Sequence, residues 1–244
     1  MSERRKVALV TGGAKRVGRA IALGLAGAGY DIAITYHSGK EEAGQLDGTI
    51  QEMGRRFIAI QCDLTEPEPS TAEIHRRIMG EFGGLDVLVN NASLFEPGNL
   101  QQLDLSIARR LWEIHVETPL LLCRHFEKPL RESNGHVINM LDLLAEKPMS
   151  SHLAYCASKA ALWNLTLGLA KELAPEVTVN GIAPGVVEWP DGYPEAERAK
   201  YLRRVPLGRA GSPGDVAAAV LYFCRDGAYV TGQVLRVDGG RSIV

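Results

Sequence analysis

Short runs of aliphatic and β-branched residues alternate along this chain with longer stretches of helical periodicity, and that alternation constrains the fold more than any other feature. Parallel strands need a crossover between them, and a helix is the usual crossover. The pattern therefore predicts a parallel sheet covered by helices on both faces. Seven strands are expected, over residues 7–11, 31–36, 57–61, 87–90, 136–140, 177–182 and 233–237. Helices are expected over 17–28, 40–53, 70–82, 105–131, 153–173 and 213–224. Ser212 before Pro213 fits the start of the last one, with the serine as cap and the proline at the first helical position. No repeat or low-complexity linker interrupts the pattern, so one α/β domain over residues 1–244, an open doubly wound sheet, is the expected architecture. In such sheets ligands sit beyond the carboxyl ends of the strands. The Gly- and Pro-rich segment that follows the sixth strand, about 184–204, is expected to cover a substrate.

Charge and composition exclude several classes of function. With 27 Lys plus Arg against 29 Asp plus Glu, the formal net charge of −2 provides no basic field for nucleic acid or an anionic membrane. No apolar stretch approaches the roughly 18–20 residues of a membrane span. Residues 1–6 are charged and lead straight into Val7, without the apolar region of a signal peptide, so a cytoplasmic location is expected. Cys62, Cys123, Cys156 and Cys224 are widely spread and have no His at ligand spacing, which suggests free thiols and no metal site.

Thr11-Gly12-Gly13-Ala14-Lys15-Arg16-Val17-Gly18 follows an apolar strand and opens a helix. Glycines there let backbone approach a pyrophosphate, and a helix N-terminus supplies unpaired N–H groups. Sites for NAD commonly place an acid about 20 residues downstream to hold the ribose 2′-hydroxyl. Here the second strand ends in Tyr36-His37-Ser38-Gly39-Lys40, with no acid. Lys15, Arg16, His37, Ser38 and Lys40 could instead hold a 2′-phosphate, which favours NADPH; taken singly, the cations read equally as solvated surface charges. Asp63 could accept from an adenine amino group or serve as a turn or helix cap.

Tyr155 and Lys159 stand four residues apart, on one face of a helix. A phenol with an ordinary pKa near 10 exchanges protons poorly at neutral pH unless a nearby cation stabilises its phenolate. Lys159 would do that, although on spacing alone the two read as a surface pair. Asp142, thirteen residues before Tyr155, sits at the end of the fifth strand, where a carboxylate suits a site or a turn.

Together with Asp63-Leu64, Asn90-Asn91-Ala92, Pro184-Gly185 and Asp238-Gly239-Gly240, these pieces resemble the short-chain dehydrogenase/reductase family over essentially the whole chain. The resemblance implies a Rossmann-type sheet of seven strands and hydride transfer from a nicotinamide. It also implies Tyr155 as proton donor, with Lys159 holding the nicotinamide ribose and lowering the tyrosine pKa. The cofactor set it implies is Gly12, Lys15, Arg16, Val17, His37, Ser38, Asp63, Leu64, Asn91, Ala92, Lys159, Pro184 and Gly185. A homotetramer is a further expectation from the family.

Three departures narrow the resemblance. Arg16 stands where most members have the second glycine of the turn, Asp142 where most have the catalytic Ser, and Ser93 where Asn-Ala is usually followed by Gly. All three look like pteridine reductases, in which the arginine contacts pyrophosphate and pterin, and the Asp and Tyr handle protons. An aromatic after the Asn-Asn-Ala-Ser segment, matched here by Phe95, stacks the pterin on the nicotinamide; core packing is the alternative for Phe95. The substrate-binding set is then Arg16, Ser93, Phe95, Asp142 and Tyr155. His115 replaces an Asn whose backbone helps position a water in the wider family, and its segment is similar to the bacterial dihydromonapterin and dihydrofolate reductase branch. His75, His125, His136 and His152 carry no site signal. The expectation is an NADPH-dependent reductase of dihydropterins, including dihydrofolate among its candidates. The alternative is a ketoreductase acting on acyl thioesters or other carbonyl compounds.

Overall fold

In the computed structural model, residues 5–190 and 192–244 are described. Residues 1–4, the start of the charged stretch before Val7, and Asp191, within the expected substrate loop, lie outside them. The order of elements is β1 (Val7–Val10), α1 (Arg16–Gly27), β2 (Asp31–Tyr36), α2 (Lys40–Glu52), β3 (Phe57–Gln61), α3 (Pro67–Phe82), β4 (Val87–Asn90), α4 (Leu105–Trp112), α5 (Thr118–Ser133), β5 (His136–Met140), α6 (Leu153–Glu172), β6 (Thr178–Pro184), α7 (Glu195–Leu202), α8 (Pro213–Arg225) and β7 (Val234–Val237). The strands form one parallel sheet in the order β3-β2-β1-β4-β5-β6-β7, with helices on both faces, as expected. The order reverses between β1 and β4. That switch point, at the carboxyl ends of these strands, is where such folds bind ligands.

The burial pattern explains why the strands read as unbroken apolar runs. Val7, Ala8, Leu9 and Val10 alternate between two cores: Ala8 and Val10 pack with α1, α2 and α8, whereas Val7 and Leu9 pack with α3, α5 and the end of α6. A strand covered on both faces has no polar side to show. α8 starts as the sequence predicts, with Ser212 and Asp215 forming a reciprocal capping box behind Pro213.

Two segments differ from expectation. The helix expected over 105–131 is split into α4 and α5 by a π-helical turn at Glu113–Glu117. Pro119 has no N–H to give the carbonyl four residues before it, that of His115, so regular α-helical bonding fails at this point. The segment expected to be irregular contains α7, which begins after Pro194 and carries Glu195 and Glu197 in its first turn. Acidic residues behind a proline are a helix-start signal, and the glycines and prolines before it hid that signal. Among the described residues no helix is long and apolar enough to cross a membrane. No cluster of His, Cys, Asp or Glu among them could hold a metal ion.

Candidate active site

The glycine turn between β1 and α1 is held from the two neighbouring strands, β2 and β4. The Gly12 N–H donates to Thr35 Oγ1 at 3.1 Å, and the Gly13 N–H to the Thr35 carbonyl at 3.0 Å. Asn91 Nδ2 donates to the Thr11 carbonyl at 2.8 Å, and the Asn91 and Ala92 N–H groups both donate to Thr11 Oγ1 at 2.9 Å. Asn91 and Ala92 thus brace the turn from β4. Thr35 does the same from β2, a role that sequence reading did not find because a buried strand threonine gives no motif.

Gly18 shows how close the backbone comes, since a Cβ there would lie 2.2 Å from the Gly12 carbonyl oxygen. Arg16 occupies the family's glycine position with a φ of 51°, a left-handed conformation that costs a non-glycine residue on the order of 1 kcal/mol. At the start of α1, Lys15 makes no side-chain cap and the first turn carries no acid. The free N–H groups and the positive end of the helix dipole there suit an anionic pyrophosphate.

The expected cofactor residues collect around this turn, several with partners of their own. Lys15 Nζ pairs with Glu42 Oε1 at 2.7 Å. His37 and Ser38 are exposed at the end of β2, with His37 Nε2 3.7 Å from Asp63 Oδ2. Asp63 Oδ1 accepts from the N–H and hydroxyl of Thr65 at 2.9 and 2.8 Å, so this atom serves as the turn cap while Oδ2 points towards His37. Leu64 is buried, and its carbonyl accepts from Thr118 Oγ1. Val17, in the first turn of α1, packs against the core. Pro184 ends β6, and Gly185 is pressed against Asp238 and Tyr201, where a Cβ would come within 3.2 Å of both. Tyr201 Oη accepts from the Val186 N–H at 3.1 Å and anchors the loop, a role the sequence did not reveal. Arg16 is less free than expected: its Nε donates to Glu188 Oε2 at 2.7 Å, joining the phosphate turn to the loop after β6.

At the carboxyl end of β5 the proton-handling residues meet. Tyr155 Oη donates to Asp142 Oδ2 at 2.7 Å, while Asp142 Oδ1 accepts from the Leu144 N–H at 2.8 Å. Lys159 is buried, with its Nζ donating to the Met140 carbonyl at 2.9 Å and lying 5.9 Å from the centre of the Tyr155 ring. Burial lowers the Lys159 ammonium to about 8, against the opposing pull of Asp142. The phenol does not show the expected lowering. Burial, then the Asp142 charge and its hydrogen bond, push Tyr155 well above 10, and only Ser93 pulls it back. Burial disfavours the phenolate, and the carboxylate held against the hydroxyl adds to that, so this tyrosine is kept as a protonated donor.

Phe95 is 55% exposed, so it is not a core residue. Its ring stands edge-on to Tyr155 with centroids 4.7 Å apart and stacks on His152 at 4.3 Å. His152 therefore belongs to the site, contrary to the sequence reading, and its position just before α6 was the available signal. Ser93 is exposed beside it and makes a 2.8 Å hydrogen bond with Nε2 of the buried His115.

Burial also holds His115 and His136 below the ordinary histidine value of 6.5. As pH falls through 6.5 the unfolded chain takes up these protons first, so stability is full above that pH and declines below it. The thermal midpoint should accordingly fall between pH 7.5 and pH 5.5; an unchanged midpoint would contradict these buried neutral rings.

The chain matches the family model described as enoyl-(acyl carrier protein) reductase over residues 12–242. A 3-oxoacyl-(acyl-carrier-protein) reductase of Staphylococcus aureus is 34% identical, over 96% of this chain and 97% of the relative. Among solved structures, a blue fluorescent protein from a metagenomic library, in complex with NADPH, has a TM-score of 0.91 at 36% identity, covering 97% of both chains. The FolM alternative dihydrofolate reductase 1 of Brucella canis, complexed with NADP, has a TM-score of 0.89 at 32% identity, covering 98% of this chain and 95% of that one. A seven-stranded parallel sheet, a glycine turn braced by Asn91, a Tyr155–Lys159 pair at the switch-point end of the sheet and near-complete coverage by these relatives agree: the chain is an oxidoreductase of the short-chain dehydrogenase/reductase family.

Proposed function

We propose that the protein is an NADPH-dependent pteridine reductase that reduces a C=N bond of a dihydropterin, with dihydrobiopterin, dihydromonapterin and dihydrofolate as candidates. The observation that carries this reading is the hydrogen bond from Tyr155 to Asp142, beside the exposed ring of Phe95. NADPH, when bound, supplies the hydride that goes to the C=N carbon. The uncapped start of α1 and the close-packed glycines would hold its pyrophosphate. Lys15, His37 and Ser38, with no acid at the end of β2, would hold its 2′-phosphate. The Brucella canis relative, an alternative dihydrofolate reductase with NADP bound, supports both parts of the reading.

The work left to the chain is to orient a flat heterocycle and protonate it. Phe95 offers a face for stacking, and Asp142 offers an acceptor to the amino and ring N–H groups along a pterin edge. The Tyr155 phenol, kept protonated, then gives its Oη proton to the ring nitrogen as the adjacent carbon is reduced. Lys159 helps to hold the cofactor ribose and the charge left on the phenol oxygen. Arg16 reaches pterin and pyrophosphate only by exchanging its Glu188 partner for them.

A ketoreductase reading is favoured by the Staphylococcus aureus relative. It fits the site less well, because a carboxylate beside Tyr155 repels the oxyanion that develops as a carbonyl is reduced. Asp142→Ser separates the two readings. Pterin turnover should drop by at least about tenfold with NADPH affinity unchanged, since one ligand-aligning hydrogen bond to a charged group is worth about 1.5–3 kcal/mol. Undiminished pterin turnover by a folded Asp142→Ser protein would remove the basis of the proposal.

A further inference from the structure

The geometry points to Glu42 as a specificity-determining residue of the cofactor site: it holds Lys15 in an ion pair that competes with the 2′-phosphate, and so weakens the preference for NADPH over NADH. The inference rests on the reading that Lys15 holds that phosphate.

By sequence the end of β2 offers no acid to a cofactor ribose, but the fold brings one there. Gly39 turns the chain at a φ of 117° and starts α2, whose first turn carries Glu41 and Glu42. Lys15 reaches the same turn from the start of α1, and its Nζ lies 2.7 Å from Glu42 Oε1. The pair rests directly on the Gly39 backbone. A Cβ there would lie 2.7 Å from Lys15 Cε, 3.4 Å from Lys15 Nζ and 3.2 Å from Glu42 Oε2, so the glycine leaves the space that the pair fills.

Glu42 is held in this place from two sides. Gly39 gives α2 no side-chain cap, so the free N–H groups and the positive end of the helix dipole favour an acid in the first turn. The Lys15 ammonium also holds the Glu42 carboxyl below the usual carboxylate range, so Glu42 is ionised at neutral pH.

A 2′-phosphate can take Lys15 only by displacing this carboxylate or by sharing the ammonium with it. Displacement gives up the pair, and sharing sets two anions side by side. NADH, with a hydroxyl in place of the phosphate, bears neither cost. A carboxylate here can also accept from that hydroxyl, as the acid of an NAD site does. Glu42 therefore acts on the difference between the two affinities, which is what specificity consists of. Lys15 and Glu42 are 47% and 40% exposed, so the pair has the strength of a surface ion pair and sets a several-fold effect.

The test is the affinity of the full chain for NADPH and for NADH, read by cofactor fluorescence without substrate. Glu42→Gln keeps the size of the side chain and removes its charge. It should bind NADPH about threefold to fivefold more tightly, the worth of one surface ion pair, while NADH binds no more tightly than to the wild type. Glu41→Gln makes the same charge change on the same helical turn outside the pair, and should keep the wild-type ratio of affinities. Lys15→Ala should itself weaken NADPH binding, and in that background Glu42→Gln should bring no gain. An unchanged ratio in a folded Glu42→Gln protein overturns the inference, and so does a gain that survives the loss of Lys15. If Lys15→Ala weakens NADPH binding and Glu42→Gln changes nothing, only this inference falls. Lys15→Ala with wild-type NADPH affinity removes Lys15 from the phosphate site, and the inference with it.

Discussion

Replacing Tyr155 by Phe should lower kcat by about 10²–10⁴-fold, the usual worth of a positioned proton donor. The ring keeps its packing, because its edge-on contacts with Phe95 and His115 involve carbon atoms that the substitution leaves in place. What is lost is Oη, together with its 2.7 Å bond to Asp142. Asp142 is only partly buried and keeps the Leu144 N–H, so its charge is not left stranded and stability should change little. NADPH titration by fluorescence and a thermal melt should resemble the wild type, while single-turnover reduction collapses. A rate within a few-fold of wild type would mean that Tyr155 does not supply the proton.

The second large effect is expected at Gly18, where the methyl group of Gly18→Ala has nowhere to go. Its nearest neighbours would be the Gly12 carbonyl oxygen at 2.2 Å and Asn91 Nδ2 at 2.7 Å, the same atoms that hold the turn against β4. Relief requires the turn to open, at a cost of roughly 1–3 kcal/mol. Where that cost falls on the cofactor-bound state it weakens NADPH binding by about 5- to 150-fold. Gly27→Ala is the control, because a Cβ at that end of the same helix meets nothing within 4 Å. It should leave affinity unchanged. Equal NADPH affinity in Gly18→Ala and wild type would remove this turn from the cofactor site.

Much of this site was legible from the sequence because backbone geometry dictates it. Gly12 at a φ of 62° and Gly18 under a carbonyl can be nothing larger without strain, so they stand out as a motif. Tyr155 and Lys159 share a helix face by spacing alone, and the strands announce themselves because both faces are buried. What could not be read depends on contacts between residues far apart in the chain. Arg16 meets Glu188 across 172 positions, and His115 meets Ser158 across 43. His152 reaches Phe95 only because the sheet sets β4 beside β5 and brings the loops at their carboxyl ends together. The direction of the phenol's pKa is hidden for the same reason, since it is set by burial and by the Asp142 carboxylate against the hydroxyl, neither of which spacing carries. The π-helical turn was hidden because apolar periodicity continues through it, although Pro119 marks the place.

The proposed function has Asp142, Phe95 and Ser93 fit this oxidoreductase to a pterin and not to a ketone. The most direct measurement is NADPH oxidation at 340 nm by the purified protein, comparing dihydrobiopterin, dihydromonapterin and dihydrofolate with an acetoacetyl thioester. Turnover with at least one pterin and none with the thioester is the expected result. Turnover with the thioester alone would contradict the pterin assignment and make the chain a ketoreductase.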